Sequence, residues 1–166
     1  MASAITFRPV EDADLEFLFE VYADSRAEEL SIVPWTEQQK EEFLRMQFRA
    51  QHEFYTQNYL QAEFEIILVD GQPVGRLYVE RREDEHRIMD IALFTSQRGR
   101  GIGGEIMRGL LQEAAGAGKP VTIHVLKQNR ALRLYERLGF REIGDTEVYL
   151  LMEWKPDSSP AEAPPE

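Results

Sequence analysis

The sequence predicts an α/β (α+β) domain over residues 1–154, built as a mixed, mostly antiparallel, twisted sheet of about 6–7 strands flanked by about four helices. Three observations carry that expectation. Apolar runs at 64–70, 73–80 and 87–94 are short and separated by turn signals, as an antiparallel meander requires. The last of these runs passes through a glycine-rich loop and a helical-period segment to a further apolar run at 121–126; that connection is a crossover, which makes the two flanking strands parallel. Two helical-period segments precede the meander.

In chain order, Ile5 to Pro9 reads as an edge strand, because Ile5 and Phe7 alternate with Thr6 and Arg8 before a proline removes a ladder donor. Asp12 or Asp14 offers an N-cap, and Leu15, Leu18, Phe19 and Tyr22 follow at helical spacing, which places a helix from about Asp14 to Leu30. Pro34 stops it. Thr36 and Gln39 have the spacing of a capping box and open a second helix to about Asn58. Asp70-Gly71 closes a hairpin between the first two strands of the meander. The helix after the glycine loop runs from Gly103 to about Gly116. A short helix over 129–138 stops at Gly139, and strands at 140–143 and 148–153 complete the sheet. The tail 155–166, rich in proline and carboxylates, is expected to be disordered.

At 166 residues, with 43% hydrophobic and 30% charged content, the chain suits one soluble globular domain. No apolar run reaches the roughly 18 residues of a membrane span. The N-terminal segment lacks the basic and apolar regions of a signal peptide, so the expected location is cytoplasmic, without a membrane partner. There is no cysteine, which removes disulfides, thiolate metal sites and a cysteine acyl-enzyme; no metal site is expected. The net charge of -11 argues against nucleic acid as a partner.

The segment Asp90 to Ala115 has the form of an anion site: a strand (Ile91-Ala92-Leu93-Phe94), a polar turn, a loop with Gly99, Gly101, Gly103 and Gly104, then a helix with Ile102, Ile106, Leu110 and Leu111 on one face. Glycines let successive N–H groups turn toward one anion, the helix start adds its dipole, and Arg98 and Arg100 add charge. Gly99 to Gly104 formally satisfies G-x-G-x-x-G. That fingerprint also needs an acidic residue about 20 positions on, and Ile123, His124 and Val125 stand there instead.

Two motifs resemble the GNAT superfamily of acyl-CoA-dependent N-acyltransferases. Arg98-Gly99-Arg100-Gly101-Ile102-Gly103 is similar to the family's Q/R-x-x-G-x-G/A loop. Asn129 to Phe140 (NRALRLYERLGF) is similar to its N-x-x-A-x-x-L-Y-x-x-x-G-F element, with the alanine one place early. The resemblance covers roughly Ile5 to Trp154. It implies acetyl-CoA as the cofactor and a GNAT fold in which the strands at 87–94 and 121–126 splay. Ile91, Ala92 and Leu93 then pair with the pantetheine arm, Arg98, Gly99, Arg100, Gly101, Ile102, Gly103 and Gly104 hold the pyrophosphate, and Asn129 contacts the cofactor near the thioester. The resemblance also makes Tyr135 the acid for the departing thiolate, against the plainer reading of a core aromatic.

Direct attack on a thioester needs a neutral amine, so a base must take a proton. His124 is the first candidate, at a strand position where relatives resembling the ribosomal-protein alanine N-acetyltransferases carry a carboxylate. Asp90, Glu80 and water are the others. Trp35, Phe48, His52 and Tyr55, with Glu80, form either one wall of an acceptor pocket or plain core. The expected activity is acetyl transfer from acetyl-CoA to a primary amine, on a small molecule or peptide, by a chain for which homodimers are unsurprising. The competing reading is a CoA-binding regulatory module without catalysis.

Overall fold

The computed structural model describes residues 4–127 and 129–156. From residue 157 on, the tail expected to be disordered lies outside the described residues.

Strand β1 (Ile5–Pro9) pairs antiparallel with β2 (Glu63–Val69), Ile5 opposite Val69 and Pro9 opposite Glu65. Between them stand a 3-10 turn (Asp12–Asp14), α1 (Leu15–Leu30) and α2 (Glu37–Asn58). Asp14 does not cap α1 with its side chain. Its carboxylate takes two hydrogen bonds of 2.8 Å from the Arg8 guanidinium and one of 2.8 Å from the Glu11 amide, which ties the end of β1 to the helix entry. The capping box of α2 forms as expected: Gln39 N donates to Thr36 Oγ1 at 3.1 Å, and Thr36 N donates to Gln39 Oε1 at 2.9 Å.

Asp70 and Gly71 both take left-handed backbone, φ 49° and 82°, as the first hairpin demands. It leads into β3 (Gln72–Arg81) and then β4 (His86–Leu93). A 3-10 turn at Thr95–Gln97, α3 (Ile102–Ala117), β5 (Val121–Leu126), α4 (Leu132–Arg137), β6 (Arg141–Asp145) and β7 (Tyr149–Trp154) follow. Helix α4 starts later than expected. The Asn129 side chain accepts from Ala131 N at 2.8 Å, so an Asx turn replaces the first helical residues.

The described strands form one sheet in the order β1-β2-β3-β4-β5-β7-β6. β4 and β5 are parallel and in register over His86↔Val121, Arg87↔Thr122 and Ile88↔Ile123. That register covers three residues of each strand. β5 pairs antiparallel with β7 along its whole length.

The chain packs as two compact units, one of the residues up to Tyr78 with Asp90–Arg100, the other of Val79–Met89 with the residues from Gly101 on. The core of the first is Leu18, Phe19 and Tyr22 of α1, Leu44 and Phe48 of α2, and Ile66 of β2. In the second, α3 buries Ile102, Ile106, Met107, Leu111 and Ala114, and β5 buries Val121, Ile123 and Val125.

Two glycines in these elements have opposite reasons for being there. A Cβ on Gly75 in β3 would sit 2.1 Å from the Ala92 carbonyl oxygen of β4, while a Cβ on Gly109, mid-α3, would meet nothing within 4 Å. Gly75→Ala is therefore expected to cost about 1–3 kcal/mol through forced backbone movement. Gly109→Ala is expected to add up to about 1 kcal/mol by relieving a helix-interior glycine. Urea melts of both variants check the opposite signs.

Candidate active site

The glycine loop has the geometry of an anion cradle. Gly99 and Gly101 are left-handed, φ 77° and 79°, with open space where a Cβ would stand, so it is backbone conformation that requires glycine there. Gly101 is the N-cap of α3, and its carbonyl accepts from Glu105 N at 3.0 Å to close the first turn. The amides of Ile102, Gly103 and Gly104 come before any i−4 partner and point out of the helix start. Arg98 and Arg100 are exposed beside them. Arg100 donates to Gln97 Oε1 at 2.8 Å, and no hydrogen bond or ion pair among the described residues holds the Arg98 side chain. Gly104 is buried, and a Cβ on it would lie 3.7 Å from Leu134 Cδ1, so the start of α3 lies against α4.

The strand end before this loop is held firmly. Phe94 N donates to Val74 O at 3.0 Å, and the Asp24 carboxylate of α1 accepts from Thr95 N at 2.7 Å and from Thr95 Oγ1 at 3.1 Å. Ile91, Ala92 and Leu93 are half-buried here.

His124 lies on β5, exposed, opposite Leu151 of β7 and with its ring 6.4 Å from that of Tyr149. Its Nδ1 is 3.3 Å from Arg87 Nη1. Arg87 also donates through Nε to Thr122 Oγ1 at 2.7 Å and through Nη2 to Glu85 Oε1 at 3.3 Å. Burial, and then the Arg87 charge, push the His124 pKa below its ordinary value, with Glu85 opposing. Glu80 is ion-paired with Arg82, which also pairs with Glu85 at 3.1 Å. On α4, Tyr135 is buried, 4% exposed, with its ring 5.8 Å from Phe140.

A buried polar cluster that sequence reading missed lies in the other unit. Arg76 of β3, 3% exposed, pairs with Asp90 of β4, donates to Gln51 Oε1 of α2 at 2.9 Å and stands 4.9 Å from the centre of the Tyr78 ring. Among the described residues, Arg76 Nε is buried without a hydrogen-bond partner. Asp90 is therefore a counter-ion to a buried guanidinium. The available signal was an arginine on the same strand face as Val74 and Tyr78 in PVGRLYVER, a charge in an apolar setting that requires a partner.

The expected aromatic wall divides. Phe48 is core, and His52 stacks on it at 5.7 Å, its pKa lowered by burial and then by Arg76. Tyr55 meets Tyr78 edge-on at 5.8 Å. Trp35 does not join them. It packs edge-on against Phe43 at 5.2 Å, beside Gln39, Glu42 and Met46, in a surface cavity of about 340 Å³. At 100° per residue, Phe43 and Met46 project from the side of α2 opposite Phe48, His52 and Tyr55. That cavity includes none of the residues expected to hold a cofactor.

Among the described residues no group of three or more His, Asp or Glu side chains could hold a metal ion, and no helix is long and apolar enough to cross a membrane.

A family model described as an acetyltransferase (GNAT) domain matches residues 4–141. Among solved structures, the PaiA N-acetyltransferase of Thermoplasma acidophilum, in complex with coenzyme A, is similar with a TM-score of 0.68 at 19% identity, over 92% of this chain and 99% of that one. The ribosomal-protein alanine N-acetyltransferase of Escherichia coli is similar with a TM-score of 0.62 at 18% identity, over 92% and 94%. At such identities the likeness concerns the fold. No curated protein sequence matches the chain.

Asp90→Asn leaves the Arg76 charge buried and unpaired, and is expected to cost about 3 kcal/mol or more in denaturant melts. His52, His86 and His124 all have lowered pKa values, burial being the largest cause of each. The unfolded chain, with histidines titrating at about 6.5, then binds more protons than the folded one just below that pH. Stability is expected to rise with pH across that window, so a urea midpoint at pH 5.5 that equals or exceeds the one at pH 7.5 would contradict these environments.

Proposed function

The chain belongs to the GNAT acetyltransferase family, and on that premise we propose that it transfers an acetyl group from acetyl-CoA to a primary amine by direct attack within a ternary complex. The observation that carries this reading is the loop itself: two left-handed glycines, an open helix start and two exposed arginines, suited to a pyrophosphate. Arg98, Gly99, Arg100, Gly101, Ile102, Gly103 and Gly104 hold that group. The half-buried backbone of Ile91, Ala92 and Leu93 receives the pantetheine arm as an added strand would. Asn129, at the turn after β5, lies toward the thioester end. The coenzyme A bound to the structurally similar PaiA enzyme supports the choice of cofactor.

The amine attacks the thioester carbon, a C–N bond forms, and the C–S bond breaks as the tetrahedral intermediate collapses. Tyr135 gives its proton to the leaving thiolate and recovers one from solvent. The proton lost by the amine goes elsewhere. Asp90 is held by Arg76 and Glu80 by Arg82, which leaves His124 and water to take it. The acceptor is a small-molecule or peptide amine, and His52 and Tyr55 are the aromatic groups proposed to face it.

Thiol release from acetyl-CoA across a broad amine panel, with mass detection of the acetylated product, tests the activity. One thiol per acetylated amine is expected. Saturable CoA binding with no turnover of any amine would instead mark a non-catalytic CoA-binding module. Tyr135→Phe is expected to lower kcat about a hundredfold or more, with a far smaller change in acetyl-CoA affinity; unchanged kcat would remove Tyr135 as the acid.

A further inference from the structure

The hydrogen bonding around His124 decides what that side chain can do. Arginine only donates: its guanidinium carries five N–H groups and no lone pair. The 3.3 Å approach of Arg87 Nη1 to His124 Nδ1 is therefore a hydrogen bond only if Nδ1 is unprotonated. In a neutral imidazole the hydrogen then sits on Nε2. Arg87 cannot easily turn away, because Thr122 at 2.7 Å and Glu85 at 3.3 Å hold the rest of its fork. No hydrogen bond among the described residues takes the Nε2 hydrogen.

We propose that Arg87 is a positioning residue that locks His124 in the Nε2–H form, so that His124 donates a hydrogen bond to a carbonyl-type oxygen of the substrate instead of acting as the base. This rests on the acetyltransferase reading above. The lone pair a base would need is the one occupied by Arg87, and the outward pole of the ring is a donor. The amine's proton passes to water, and the outward N–H of His124 is offered to the substrate oxygen. The surroundings agree. Burial and then the Arg87 charge oppose a second positive charge on the ring, while Glu85, just before β4, favours it. From β7, the facing group is the Tyr149 ring.

The test has a spectroscopic and a kinetic arm. Two-bond proton–nitrogen correlation spectra of the full chain at pH 8 are expected to show His124 with Nδ1 unprotonated and Nε2 protonated. In Arg87→Gln the His124 titration midpoint is expected to rise by about one pH unit, because a neighbouring positive charge is removed. A protonated Nδ1 in the wild-type chain, or an unmoved midpoint in a folded Arg87→Gln, overturns the proposal. Kinetically, His124→Gln keeps an N–H donor and has no base, and kcat/KM is expected to fall about tenfold; His124→Glu keeps a base and has no donor, and is expected to fall a hundredfold or more. The reverse order would make His124 the base. If no amine is acetylated by the wild-type chain, the activity reading fails, while the spectra still decide the tautomer.

Discussion

The parallel pairing of β4 with β5 constrains more of this chain than any other feature. Two parallel neighbours cannot be joined by a tight turn, so a crossover must carry the chain back, and here that crossover is α3. Its N-terminus must therefore follow the exit of β4, where its free amides and positive dipole end collect. Glycine at 99 and 101 allows the backbone to turn sharply enough to start the helix there. The registered pairing spans His86 to Ile88 and Val121 to Ile123.

Charge placement in the strands follows a second rule, that a buried ion must be paired. Arg76 meets it with Asp90 and Gln51, and Arg87 meets it with Glu85, Thr122 and the lone pair of His124. The two arginines act differently because their settings differ. Arg76 is 3% exposed, and its partner carboxylate serves as a structural counter-ion. The Arg87 side chain, 18% exposed, reaches a histidine whose other face is open. Carboxylates that look like candidate bases in the sequence are thereby taken up by arginines a strand position or a turn away.

Much of this was legible beforehand because it is local. The capping box at Thr36 and Gln39, the Asp70-Gly71 hairpin, the glycine loop and the stop at Gly139 are each specified within a few residues, and the structure has them where expected. What was not legible depended on register or on helix phase. Arg76 finds Asp90 only once β3 and β4 are aligned, which residue spacing does not set. Composition does not separate Trp35 from Phe48, His52 and Tyr55, whereas helix phase does: its partner Phe43 lies about 140° around α2 from Phe48. The helix expected from Asn129 was shortened by a side-chain turn whose hydrogen bond competes with helix formation.

In the proposed function, coenzyme A binds to the backbone of the glycine loop and of the strand before it. Deuterium uptake measured with and without saturating coenzyme A tests it most directly. Slowed exchange concentrated in peptides covering 91–94 and 98–105 is the predicted result. Unchanged uptake in both stretches, with protection confined to other parts of the chain, would contradict it.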